Sequence, residues 1–164
     1  MLAFIVERQQ KTQLSTTMDK INERILQHLK RDGRITNAEL AESVGLSPSA
    51  CLRRVQELEK SGIIKGYRAV LAPEKLGIQF IAYVTVGLSS HTKQAQAAFE
   101  QAIAGTPEVL ECHNVTGSFE YLLRVETASL TSYKQFHTDV LGDIPEVNTI
   151  TTLVVMDSPK DDRS

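Results

Sequence analysis

Apolar residues recur at helical spacing through the first part of the chain, and at strand spacing through much of the rest. Ile21, Ile25, Leu26 and Leu29 form one stripe behind Asp19, a residue suited to capping a helix, and Asp32-Gly33 stops the run. Thr36-Asn-Ala-Glu39 has the spacing of a capping box, in which the first and fourth residues satisfy each other's backbone N–H groups. The helix it opens buries Leu40, Ala41 and Val44, and Leu46 follows in a tight Gly-Leu-Ser turn. Ser47-Pro48 then opens a third helix, with a hydroxyl cap followed by a ring whose φ suits the first helical position. Leu52, Val55 and Leu58 predict its buried stripe, and Ser61-Gly62 its end. Residues 63–71 alternate loosely around Gly66, which fits a small β-wing and equally a plain linker strand.

Residues 72–77, around Pro73, interrupt the pattern, and beyond them the period changes. Residues 80–88 read as a strand with Phe80, Ala82, Val84, Val86 and Leu88 on one side. Residues 91–104 read as a helix burying Ala95, Ala98, Phe99, Ala102 and Ile103. Strands over 109–115 and 120–125 are joined through Thr116-Gly-Ser-Phe119. A helix over 130–141 buries Leu130, Tyr133, Phe136, Val140 and Leu141, and 147–156 is the last strand. Strand, helix, strand, strand, helix, strand is the ferredoxin-like split βαβ order. Its helices cover one sheet face. Ile81, Tyr83, Ile150 and Val154 predict that the other face is apolar too, and a second copy of the chain is the economical cover for it. The fold class is therefore α+β: an N-terminal winged helix-turn-helix joined to a C-terminal ferredoxin-like βαββαβ domain. The expected organisation is a flexible N-terminal extension over 1–18, the helix-turn-helix domain over 19–71, a linker over 72–79, the ferredoxin-like and oligomerisation domain over 80–157, and a tail over 158–164. The extension has a second reading, as an arm lying on DNA or on a partner subunit.

Composition adds exclusions. The chain has 164 residues and an ordinary hydrophobic fraction of 41%. No apolar run is long enough to span a bilayer, and Leu2-Ala-Phe-Ile-Val6 is too short for a signal peptide and lacks a preceding basic region. Cys51 and Cys112 are too far apart for a zinc pattern and too few for a disulfide framework, which points to a reducing cytoplasm. The net charge of −2 hides an asymmetry: residues 19–68 carry +3 and residues 73–164 carry −6. A mildly basic module tied to an acidic one suits a polyanion binder joined to something else.

The candidate chemistry follows from that layout. A short helix anchored by one face, with small and basic residues on its exposed N-terminal half, is what the major groove of DNA admits. Ser47, Ser49, Ala50, Arg53 and Arg54 are the expected contacts there. The two serines are assigned to phosphates near the helix N-terminus and the arginines to bases or phosphates, while Lys65 and Arg68 steady the wing on the backbone. A helical hairpin with a solvated charged face is the bland alternative. His28, His91, His113 and His137 are scattered and make no metal site; Cys112 and His113, adjacent on a strand, point to opposite faces. His137 lies near the end of the last helix. Cys51 reads as a packing residue rather than a redox switch. Gly117 lacks the further glycines and following helix of a phosphate loop. An acyl-phosphatase reading needs an arginine in the loop after the first strand, and Gly87-Leu-Ser-Ser-His-Thr92 has none, so no catalytic residue is assigned.

These features together resemble the Lrp/AsnC family, the leucine-responsive and asparagine-synthase regulators also called feast/famine regulators. The resemblance runs over 18–156. It is carried by Leu46-Ser-Pro-Ser-Ala-Cys-Leu-Arg-Arg-Val-Gln-Glu-Leu-Glu-Lys-Ser-Gly-Ile63, by Val115-Thr-Gly-Ser-Phe-Glu-Tyr-Leu-Leu123, and by the last strand ending Val154-Val-Met156. It implies double-stranded DNA as partner, a homodimer that often assembles to octamers, no cofactor, and an amino-acid effector bound where dimers meet. The effector residues would be Gly117, Ser118, Phe119 and Glu120 with residues near Thr152, across a subunit boundary. Free N–H groups of the glycine loop would take the carboxylate and Glu120 the ammonium. Ser118 stands where the family commonly has Asp, and Glu120 where a second Asp is common. The expected function is a cytoplasmic, nucleoid-associated, sequence-specific transcriptional regulator responding to an amino acid. The alternative is a nucleoid-organising DNA-binding protein that ignores metabolites.

Overall fold

A computed structural model of the chain describes residues 18–161. Apart from Met18, the extension expected over 1–18 lies outside the described residues, as do the last three residues of the tail. The chain divides into two compact units between Ala69 and Val70.

In the first unit every helix start is held by a side chain. The Asp19 carboxylate accepts the Asn22 N–H at 2.8 Å and opens α1, Lys20–Arg31. The capping box at Thr36 forms in full and opens α2, Asn37–Val44, which ends on Gly45 at φ 74°, a conformation that favours glycine. Ser47 caps α3, Pro48–Lys60. The three helices close on Ile25, Leu40, Ala41, Val44, Cys51 and Leu58, ringed by half-buried residues that include Val55 and Ile63. Leu52 does not belong to this core: it is 47% exposed, and Cys51 is fully buried one position earlier. Cys51 and Leu58 lie seven residues apart, two helical turns, and that line sets the buried face. Burial pushes the Cys51 thiol up, which keeps it in its unreactive form. Among the described residues, 63–71 makes no strand ladder. The segment has no second strand of its own to pair with, and Tyr67 ties it back by donating its O–H to Glu59 on α3 at 2.9 Å.

The second unit starts with a 3₁₀ turn at Pro73–Leu76, followed by β1 Phe80–Leu88, α4 Lys93–Ile103, β2 Val109–Asn114 and β3 Tyr121–Thr127. Helix α5, Leu130–Gln135, runs on as a π-helical turn, Phe136–Leu141, before β4 Val147–Val154. The sheet is antiparallel throughout, in the order β2-β3-β1-β4. Both helices pack on the face that carries Ala82, Val84, Val86, Tyr121, Leu123 and Val125, with Phe99 against Tyr121 and Phe80 against Tyr133. Leu130 and Ala102 were expected inside and are exposed.

The pairing register corrects the expected second face. Ile150 sits opposite Val86 and Val154 opposite Ala82, and directly paired residues point to the same side. Both therefore belong to the helix-covered side. The open face carries Ile81, Tyr83, Leu122 and Leu153, interleaved with Thr85, Thr149 and Thr151. Towards β2 it becomes charged: Arg124 donates to Glu126 at 2.9 Å, and His113 lies 3.3 Å from Glu111.

Candidate functional site

Helix α3 presents its polar side outward. Ser49, Leu52, Arg53 and Gln56 are exposed at the i, i+3, i+4, i+7 spacing of one helical face. The Ser47 hydroxyl accepts the Ala50 N–H at 3.3 Å and lies 3.3 Å from the Ser49 hydroxyl, which puts both oxygens at the helix N-terminus. Ala50 is half-buried. The Asn37 side-chain amide donates to the Pro48 carbonyl at 2.9 Å and pins the start of α3 to the start of α2. Arg54 points back into the fold. Its Nη1 donates to the Asp19 carboxylate at 2.7 Å and to the Asn22 side-chain oxygen at 2.9 Å, and its side chain is 25% exposed. The Asn22 N–H and then this guanidinium hold the Asp19 carboxyl below its ordinary value. Lys65 and Arg68 are exposed on the extended segment after α3.

In the second unit the connection from β2 to β3 closes on itself. Val115 N–H donates to the Glu120 carbonyl at 2.8 Å, and Glu120 N–H to the Val86 carbonyl at 3.1 Å. Between them Gly117 sits at φ 145°, a backbone region that side chains rarely adopt. Ser118 is exposed and Phe119 half-exposed. The Glu120 carboxylate turns inward, with 16% of its side chain exposed. One oxygen accepts the Leu88 N–H at 2.7 Å, and the other lies 2.9 Å from Nδ1 of His91, whose side chain is 80% exposed. Any side chain at Gly87 would run into the Thr149 hydroxyl, and its Cβ would lie 3.7 Å from the Glu120 carboxylate. Gly87, Leu88, His91, Glu120 and Thr149 thus meet at one end of the sheet. On the helix side, the β2 edge borders a groove of about 330 Å³ lined by Glu100, Cys112, Asn114 and Tyr121 among others. Tyr121 donates its O–H to Glu100 at 2.7 Å, and burial, with that bond, pushes its pKa up to about 12.

Residues 18–65 match the family model for a winged helix-turn-helix DNA-binding domain, and residues 81–164 match that of the Lrp/AsnC ligand binding domain. The leucine-responsive regulatory proteins of Klebsiella pneumoniae and of Escherichia coli K12 are each 38% identical to this chain over 143 residues, which is 87% of this chain and 87% of theirs. This chain belongs to the Lrp/AsnC family. Solved members superpose closely. A transcriptional regulator of Neisseria meningitidis, in complex with L-Met, matches at TM-score 0.84 and 36% identity, covering 88% of this chain and 93% of that one. AsnC of E. coli matches at TM-score 0.80 and 27% identity, covering 88% and 95%. The chain is a DNA-binding transcriptional regulator of this family, with a helix-turn-helix unit and a ligand-binding unit. Among the described residues no helix is long and apolar enough to cross a membrane.

The structure brings together some of the site residues expected from sequence and separates others. Ser47, Ser49 and Arg53 share the exposed N-terminal half of α3, whereas Ala50 turns inward and Arg54 braces α1. Gly117, Ser118, Phe119 and Glu120 are one loop. Thr152 is not beside it within the chain. It stands opposite Val84, three positions along β1 from Gly87, or about 10 Å, and it bonds the Tyr133 hydroxyl on the helix side. His137 packs edge-on against Tyr133, on that same side. Thr149, His91 and the Leu88 N–H were missed. The legible signal for this corner was Gly87, a glycine inside a strand, which marks a close approach of neighbouring groups.

Proposed function

We propose that this regulator binds duplex DNA as a homodimer, able to assemble further to an octamer, and that a free amino acid taken at the 117–120 loop alters its choice of operator. The carrying observation is the relative solved with L-Met, 36% identical across 88% of this chain. The loop supports the reading. The N–H groups of Gly117, Ser118 and Phe119 make no backbone hydrogen bond to other described residues, so they are available to a carboxylate. Glu120 is engaged twice, but one of its partners is the exposed His91 imidazole, which an arriving ammonium group displaces without unmaking the Leu88 bond. Thr152 joins the site from a neighbouring copy. Arg53, with the Ser47 and Ser49 hydroxyls, meets bases and phosphates, while Lys65 and Arg68 hold the backbone. Effector binding favours one assembly over another, and the spacing between recognition helices changes with it.

Calorimetry of the full-length protein against each common amino acid, combined with sedimentation with and without the ligand that binds, tests this. A subset should bind at or below millimolar concentration and shift the assembly. No binding by any of them would leave the metabolite-independent DNA organiser as the better reading.

A further inference from the structure

Four exposed residues make up the outward face of α3, and one of them is a leucine. Leu52 is 47% exposed and Gln56 lies one turn further on, on the same face as Ser49 and Arg53. A large apolar side chain at a solvent-facing position of an otherwise polar helix loses nothing by meeting an apolar partner. In the major groove the apolar group on offer is the C5-methyl of thymine, and the group that a carboxamide matches with two hydrogen bonds is the N6/N7 edge of adenine. Arg54, which borders this face, is drawn away to Asp19 and Asn22, so it does not compete for base edges there.

Building on the DNA-binding reading above, we infer that Leu52 and Gln56 are base-reading residues: Leu52 contacts a thymine methyl, and Gln56 an adenine edge. Four residues of helix rise about 6 Å, and stacked base pairs rise about 3.4 Å, so the two contacts fall about two base-pair steps apart in each half-site. Arg53, between them in sequence and on the same face, has guanine O6/N7 as its match. The operator half-site therefore carries an A·T pair at each of two positions, with the leucine position distinguished by its methyl group and not by hydrogen bonding.

The test is selection from a random duplex pool by the full-length protein, followed by titration of the enriched site with single-base analogues. Uracil in place of thymine removes only the methyl. One thymine per half-site should be found whose replacement weakens wild type about fourfold, the loss of one buried methyl. Leu52→Ala should bind the parent site more weakly and lose nothing further at that thymine, while Leu52→Met should keep the preference. Gln56→Ala should lose about tenfold, and 7-deazaadenine about two steps from the thymine should weaken wild type but not that variant. If Leu52→Ala still prefers thymine to uracil as wild type does, Leu52 is not a reader. If Leu52→Ala instead sediments as a smaller species, the leucine belongs to a contact between copies, and the inference fails. An enriched site whose thymines are all indifferent to uracil overturns the inference alone. Duplex binding with no enriched site overturns the sequence-specific reading beneath it.

Discussion

Among the described residues, the N-terminal unit closes around six buried apolar residues and fastens its helices at their ends, whereas the C-terminal unit buries fourteen apolar residues behind a four-stranded sheet. In the first, side chains do structural work at the surface: Asp19, Thr36 and Ser47 cap, Asn37 pins and Arg54 braces. In the second, the surface residues near the candidate site are held by backbone and strand register, as Glu120 is by Leu88. A small core edged by polar fastenings presents a stiff helix to a groove. A larger core frees one sheet face and one loop for a ligand or a second copy.

That contrast is broken most directly by emptying each core in turn. Leu58→Ala and Leu123→Ala each remove a fully buried side chain and should each cost about 2–5 kcal/mol. In calorimetry the first should abolish the transition of the N-terminal unit and leave the other standing, and the second should shift only the C-terminal one. A single shared transition would show the units to be coupled. The next largest effect is expected at the candidate ligand loop. Glu120→Gln should lower amino-acid affinity by roughly one to two orders of magnitude, since a hydrogen bond to a charged group contributes about 1.5–3 kcal/mol. It should leave DNA affinity without ligand near wild type. On the DNA side, Arg53→Ala should cost specific binding about 1–3 kcal/mol. Lys65→Ala should instead weaken all sequences alike and flatten the salt dependence by about one unit. Gel-shift titrations at several salt concentrations separate the two.

The smallest expected effect concerns the fastenings. Asp19→Ala should destabilise the N-terminal unit by about 1 kcal/mol, the usual worth of a helix cap. The same contact gives a pH signature. Asp19 titrates below the ordinary 3.8 in the fold, so its contribution is complete above that value and is lost as pH falls beneath it through the lowered pKa. Acid melts of wild type and Asp19→Ala should converge below pH 3.8. Curves that stay parallel would remove the charge from the account of the cap.

How far the chain could be read depended on the distance over which each feature is decided. The caps at Asp19, Thr36 and Ser47 and the turn at Gly45 are settled within four residues, and all were legible. The strand and helix order of the second unit was legible from its periods. Leu52 was misjudged because it is the more hydrophobic neighbour of Cys51, while the packing line is set by the seven-residue spacing from Cys51 to Leu58. Ile150 and Val154 were assigned to the wrong sheet face because only the pairing with Val86 and Ala82 decides which side they take. The diversion of Arg54 rests on a partner 35 residues away. The inward turn of Glu120 rests on a backbone group 32 residues away. No local pattern carries either, so the candidate loop could be named in sequence but not the contacts that hold it.

The position of Arg54 sets up a rivalry. One nitrogen of its guanidinium serves both Asp19 and Asn22, so a phosphate able to recruit it must first outbid a carboxylate of the same charge sign. Removing that rival by Asp19→Asn keeps an oxygen to cap α1, since asparagine caps about as well as aspartate, but takes away the charge that holds the guanidinium, which stays bonded to Asn22 and becomes easier for a phosphate to recruit. Tighter binding at a little-changed melting temperature would follow from a single exchange of oxygen for nitrogen.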